Sequence, residues 1–187
     1  MIVGVLGLQG DFREHHRVLH QLGVETRDVR TAAGIDEVDA LVMPGGESTT
    51  MARLMALYGL DEAIRGRSQD GLPLFGTCAG LILLAREVKG GEPQGLGLID
   101  IVVDRNAYGR QLDSFEADLD VKGIGALHAV FIRAPKIAEH GPNVEVLAEH
   151  DGVPVVAREG NVWVSSFHPE LVGERRIHER FLSCIPD

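Results

Sequence analysis

Short runs of branched apolar residues alternate with stretches of helical periodicity through the first half of this chain, and that rhythm restricts its fold more than any other feature. Ile2 to Leu8 is an apolar run ending in Gln9-Gly10. Asp11 and Glu14 make a capping-box-like start, followed by Phe12, His16, Leu19 and Leu22 at helical spacing and Gly23 as a stop. Val24 to Val29 reads as a second strand. Ala40 to Met43 reads as a third, broken by Pro44-Gly45-Gly46. Ser48 can cap a helix whose stripe is Met51, Leu54, Met55 and Tyr58, closed by Gly59. Pro73 to Gly76 is another strand, and Ala79 to Val88 is read as the helix after it. This order predicts an α/β fold, a three-layer sandwich with a mostly parallel central sheet and helices on both faces.

The second half changes character. Phe115 to Val121 alternates apolar and acidic residues with period two, as a half-exposed strand should. Further β-like runs cover Ala129–Arg133, Val144–Ala148, Val153–Ala157 and Val162–Ser166, close enough for antiparallel hairpins, so the sheet should be mixed at one edge. Ile177, Phe181, Cys184 and Ile185 fall on one face of a C-terminal helix, which makes Cys184 a core residue. Lys89 to Gly97, with four glycines and a proline, is the expected flexible stretch. With no repeat, low-complexity tract or linker, residues 1–187 are expected to form one domain, a length that suffices to bury a large core.

Net charge is −10 with the acidic residues dispersed, and no Lys/Arg run is dense enough for a nucleic-acid or membrane footprint. The first residues lack the basic leader of a signal peptide and are too short to span a bilayer. Cys78 and Cys184 stand far apart and form no disulfide framework, so a reducing cytoplasm is the expected setting. None of the eight histidines pairs with a Cys, Asp or Glu at zinc-ligand spacing; His15, His16 and His140 are expected on the surface or on a helix face, and no metal or cofactor is expected.

Gly76-Thr77-Cys78-Ala79-Gly80 stands where a strand gives way to a helix. It is a G-x-nucleophile-x-G elbow with cysteine in the serine position. The glycines leave room for a strained turn that projects Sγ beside backbone amides at the helix start, where an oxyanion can be held and the dipole favours thiolate. A lone cysteine is usually a small buried hydrophobe. The flanking glycines and the strand-to-helix junction reverse that reading for Cys78. A catalytic thiol wants a base, and Ser166-Phe167-His168-Pro169-Glu170 supplies one. In an extended segment His168 and Glu170 point the same way with Cα atoms about 6–7 Å apart. Glu170 can then orient one imidazole nitrogen and leave the other for Cys78.

At these residues the sequence resembles the class I (triad) glutamine amidotransferases. Val5 to Gly10, Pro44 to Thr50, Phe75 to Gly80, Asp113 to Glu116 and Phe131 to Pro135 look like the glutaminase subunit of pyridoxal 5'-phosphate synthase. The likeness runs over nearly the whole chain. It implies that Cys78 attacks the side-chain amide of L-glutamine, giving a glutamyl thioester and ammonia, with His168 as base and acid and Glu170 as its orienter. It further implies that Gly46, Glu47 and Ser48 line the glutamine site with Arg105, Ile132 and Arg133, and that the Gly46 and Ala79 amides are the oxyanion donors. The ammonia would pass to a separate barrel-type synthase subunit. Gln9 would serve partner sensing or ordering of the oxyanion site, or be a plain polar strand-end residue.

Two rivals stay open. A cysteine hydrolase of the DJ-1/PfpI type shares the strand-to-helix cysteine but lacks the P-G-G-E-S-T-T and terminal H-P-E segments. A catalytically silent regulatory subunit would have no chemical need to keep Cys78, His168 and Glu170 together.

Overall fold

The computed structural model describes residues 1–105 and 114–186. Alternation along each strand sorts side chains to two faces of a central sheet. In β1 (Ile2–Leu6), Val3 and Val5 join one core cluster, while Leu6 joins the other. β3 (Ala40–Met43) repeats the pattern, with Ala40 and Val42 on one side and Leu41 and Met43 on the other. β4 (Leu74–Thr77) and β12 (Val162–Ser165) send Phe75 and Trp163 to the first side and Leu74 and Val164 to the second. Such strands are buried on both faces, which is why they read as continuous apolar runs.

With β2 (Glu25–Val29), β10 (Glu145–His150) and β11 (Val153–Glu159), these strands form a seven-stranded sheet in the order β10-β11-β12-β4-β3-β1-β2. Pairing is parallel from β2 through β12, and antiparallel from β12 through β11 to β10. The expected mixed edge is therefore present. One face carries α2 (Ala32–Ile35), α3 (Ser48–Leu57), α4 (Leu60–Gln69) and α5 (Ala79–Leu84), packed through Ile35, Met51, Met55, Leu60, Ile64 and the α5 leucines. The other carries α1 (Phe12–Gln21), α6 (Arg176–Leu182) and a hairpin of β7 (Ser114–Val121) with β8 (Gly125–Ile132). β5 (Ala85–Val88), β6 (Ile99–Asp104) and β9 (Lys136–His140) form a separate three-stranded sheet. No helix among the described residues is long and apolar enough to cross a membrane.

Several local expectations are corrected. The helix starting at Ala79 stops at Leu84, and Ala85 turns extended (φ −57°, ψ 150°) into β5. Every residue of α5 is buried, so no amphipathic stripe marks its end. Gly59 closes α3 but also opens α4 from a left-handed conformation (φ 66°), and α4 buries only Leu60 and Ile64, too sparse a stripe to announce itself. The α1 stripe is rotated by one residue: His15, Val18 and Leu19 are buried, so His15 is not a surface residue. Asp11 precedes α1 without a side-chain capping bond. Glu47, not Ser48, caps α3 by accepting from the Thr49 and Thr50 amides. α6 ends at Leu182, which leaves Cys184 beyond it, half-buried rather than in the core. Within the 89–97 stretch, the Leu96 amide donates to the Leu83 carbonyl and the Leu96 carbonyl accepts from Arg65 Nε.

Candidate active site

Parallel pairing of β4 with β12 aligns Thr77 with Ser165, so the two chain segments leave the sheet side by side at its carboxyl edge. This is the edge where open α/β sheets bind ligands. Cys78 follows directly, its amide donating to the Ser165 carbonyl at 2.8 Å. It sits at φ 48°, ψ −100°, a strained region for a residue with a side chain. The glycines around it are steric necessities. A Cβ on Gly80 would lie 2.0 Å from the Met43 carbonyl oxygen, and one on Gly76 would lie 2.6 Å from the Gly80 carbonyl carbon. Cys78 keeps 7% of its surface exposed, and its Sγ lies 3.9 Å from the Ile132 carbonyl oxygen.

The segment after β12 brings His168 and Glu170 to the same place. The His168 amide donates to the Val130 carbonyl of β8 at 3.1 Å, tying this loop to the strand that ends in Ile132. His168 Nδ1 is 2.7 Å from Glu170 Oε1, both side chains being almost wholly buried. Burial alone would lower the His168 pKa. Hydrogen bonds to Cys78 and Glu170, and the charges of those groups, raise it to about 10 instead. Burial pushes the Glu170 carboxyl above the usual carboxylate range, against the opposing pull of His168. A second carboxylate stands nearby, with Asp11 Oδ2 3.5 Å from His168 Nδ1. Asp11, His168 and Glu170 offer ligand atoms within 4.8 Å of one another, the one such cluster among the described residues. Its central nitrogen is already engaged by Glu170.

The loop 44–47 lies against this pair. A Cβ on Gly45 would fall 2.3 Å from His168 Cε1, and one on Gly46 would fall 2.5 Å from Gln9 Oε1. Gln9 Oε1 accepts from the Glu47 amide at 2.7 Å, so Gln9 braces the segment that carries Gly46. The Glu47 carboxylate is spent on the α3 cap; its bond with the Thr50 side chain holds it below the ordinary value. Ser48 is buried at the start of α3. Arg105 is not a free surface charge, since its Nη1 donates to Thr49 Oγ1 and the Glu92 carbonyl, both at 3.0 Å. Arg133 is exposed at φ 44°, immediately beyond Ile132. Ala79 opens α5 next to the thiol. Asp113 lies outside the described residues.

The profile of the SNO glutamine amidotransferase family matches residues 5–186. The chain is 54% identical to the pyridoxal 5'-phosphate synthase subunit PdxT of Thermosipho africanus, over 99% of each chain. It is likewise 54% identical to that of Thermus thermophilus, over 97% of this chain and 96% of the other. The chain belongs to the SNO glutamine amidotransferase family. A crystal structure described as a glutamine amidotransferase superposes with a TM-score of 0.95 at 50% identity, covering 99% of both chains. The structure of PurLQS from Thermotoga maritima shares the fold alone, at a TM-score of 0.73 and 16% identity.

Around this family's elbow, the structure also collects residues that sequence reasoning missed. His15 Nε2 is 3.1 Å from Thr77 Oγ1 and 3.6 Å from Glu170 Oε2, and its Nδ1 is 3.0 Å from His178 Nε2. All four side chains are fully buried. The available signal was the placement of His15 four residues before Leu19 on the α1 stripe, where a polar residue is out of pattern.

Proposed function

We propose that residues 1–187 act as one glutaminase domain, hydrolysing L-glutamine to L-glutamate and ammonia and passing the ammonia to a synthase subunit that makes pyridoxal 5'-phosphate. The observation that carries this reading is the 2.7 Å contact of His168 Nδ1 with Glu170, beside a thiol held in a left-handed elbow. It is supported by the near-complete alignment with relatives named as subunits of that synthase.

In the first half-reaction the Cys78 sulfur attacks the side-chain amide carbon, and charge gathers on the amide oxygen, where the Gly46 and Ala79 amides donate. His168, protonated at neutral pH, gives its proton to the nitrogen as the C–N bond breaks, and ammonia leaves. A glutamyl thioester remains on Cys78. Water then attacks the thioester, His168 takes its proton, and glutamate departs as the sulfur recovers its electrons. Glu170 stabilises the imidazolium throughout. Gly46, Glu47, Ser48, Arg105 and Ile132 line the glutamine, and the exposed Arg133 guanidinium meets its α-carboxylate. The synthase partner is of barrel type, and the pair works in the cytoplasm.

Acid quenching of the chain with L-glutamine and the synthase subunit, followed by peptide mass spectrometry, tests the reading. A glutamyl adduct on the Cys78 peptide is expected. Steady ammonia release with no adduct under any quench, or an adduct on another residue, would overturn it.

A further inference from the structure

An acid at the start of a helix usually serves the helix, its carboxylate accepting from the amides of the first turn. Asp11 does not. At φ −87°, ψ 29° it stands outside the extended conformation from which a capping side chain reaches those amides, and it makes no capping bond. Its carboxylate lies instead against the ring of His168, with Oδ2 3.5 Å from Nδ1. We infer that Asp11 is a positioning residue for the reaction: acting through His168, it holds a second negative charge beside Nδ1 and keeps the imidazole charged on the alkaline side of neutrality. The inference rests on the reading of Cys78, His168 and Glu170 as a catalytic triad.

Backbone contacts fix this placement. The Asp11 amide donates to the Gly45 carbonyl at 3.0 Å, which ties the start of α1 to the loop that packs on the imidazole. A Cβ on Gly45 would meet both partners, 2.9 Å from His168 Nδ1 and 3.2 Å from Asp11 Oδ2. Gly10, at φ 92°, lets the chain approach so closely; a Cβ on it would lie 1.8 Å from the Gly45 carbonyl oxygen. Ring edge, carboxylate and bare backbone therefore meet at one point.

Glu170 and Asp11 divide the work at one nitrogen. Glu170 Oε1 accepts from Nδ1 at 2.7 Å, and Asp11 at 3.5 Å adds charge. Burial raises the Glu170 carboxyl above its ordinary range, and the Asp11 charge adds to that push. A charged ring between the two carboxylates relieves their repulsion, and a neutral ring does not. Against the lowering effect of burial, Cys78 raises the ring as Glu170 does. His15 faces Glu170 from the buried side but stays neutral, its pKa held down chiefly by burial. Glu14, the other acid of the first turn, is paired with Arg17 at 2.8 Å. The Asp11 side chain is 39% exposed, so water damps its pull on the ring.

Titration of the His168 ring by nitrogen-15 NMR, on the intact chain, tests this without glutamine. The thiol and the imidazole titrate as a coupled pair, and the upper step is the one that Asp11 should govern. In the native chain that step is expected at about 10. Asp11→Asn removes the charge at constant shape and should lower the step by about one pH unit. Asp11→Glu restores the charge and should recover about half of that shift or more. Glu14→Gln removes an equal charge from the same turn and should leave the step in place. With the synthase subunit bound, the loss of kcat/KM for glutamine in the Asn variant should widen about fivefold between about pH 7 and pH 10, as the ring discharges early. A folded Asn variant with the native upper step would overturn the inference. So would an equal shift in Glu14→Gln, no recovery in Asp11→Glu, or a kcat/KM loss that stays constant with pH. If Asn does not fold, Asp11→Ser, which keeps an oxygen at the helix start, decides in its place. A lowered step in a chain that never releases ammonia would sink the glutaminase reading and leave Asp11's role standing.

Discussion

Gly45 and His168 are packed so closely that a methyl group on Gly45 would lie 2.3 Å from the imidazole Cε1 and 2.9 Å from Nδ1. The loop after β3 and the loop after β12 are thus fitted to each other through a missing side chain. Ring orientation at His168 is fixed on one side by Glu170 and on the other by backbone, and neither contact tolerates bulk.

Gly45→Ala should therefore fold and lose turnover by about a hundredfold, because the ring must swing away from its productive position. Gly66→Ala is the control. Gly66 lies within α4 with open space around it, so the change should raise stability by roughly 0.5–1 kcal/mol and leave ammonia release alone. Equal turnover in both variants would contradict the packing argument.

Glu170→Gln preserves shape but cannot balance an imidazolium. Turnover should fall by roughly three to four orders of magnitude with an unchanged circular dichroism spectrum. A small loss would assign the orienting role to Asp11, whose carboxylate oxygen is 3.5 Å from the same nitrogen.

Acid should weaken the fold through the buried imidazoles. The folded-state pKa of His178, about 4, lies below the ordinary value of about 6.5. As pH falls from about 6.5 toward 4, the unfolded chain takes up a proton that the folded chain refuses. The loss is on the order of 3 kcal/mol, and His15 acts in the same direction. His168 runs opposite: raised to about 10, it contributes fully below about 6.5, and its contribution fades as pH rises toward 10. Urea midpoints at pH 7, 5 and 4 should drop steeply for the native chain and less for His178→Gln. Parallel curves would disprove the assignment.

Arg133→Gly separates backbone from side chain. A left-handed φ of 44° suits glycine, so stability should rise by about 1 kcal/mol. Loss of the guanidinium should raise KM for glutamine at least tenfold with little change in kcat. An unaltered KM would remove Arg133 from the substrate site.

Much of this architecture was legible because period and glycine placement carry it. The elbow around Cys78 and the pairing of His168 with Glu170 follow from steric need and a spacing of two. α5 and the strand after it merged into one apolar run, since residues buried on every side show no period. α4 was missed because two buried residues make a faint stripe. His15 and His178 were illegible for a different reason. Their partners lie on distant elements, and a buried histidine looks like a surface one until the fold brings its partners to it.

Glutamine hydrolysis in this site depends on a nucleophilic sulfur at Cys78 served by His168 as acid and base. Ammonia release from L-glutamine, measured with the purified synthase subunit for the native chain and for Cys78→Ala, tests it most directly. Sustained release from the native chain and none above background from Cys78→Ala is the predicted result. A variant that keeps the native rate would contradict the account.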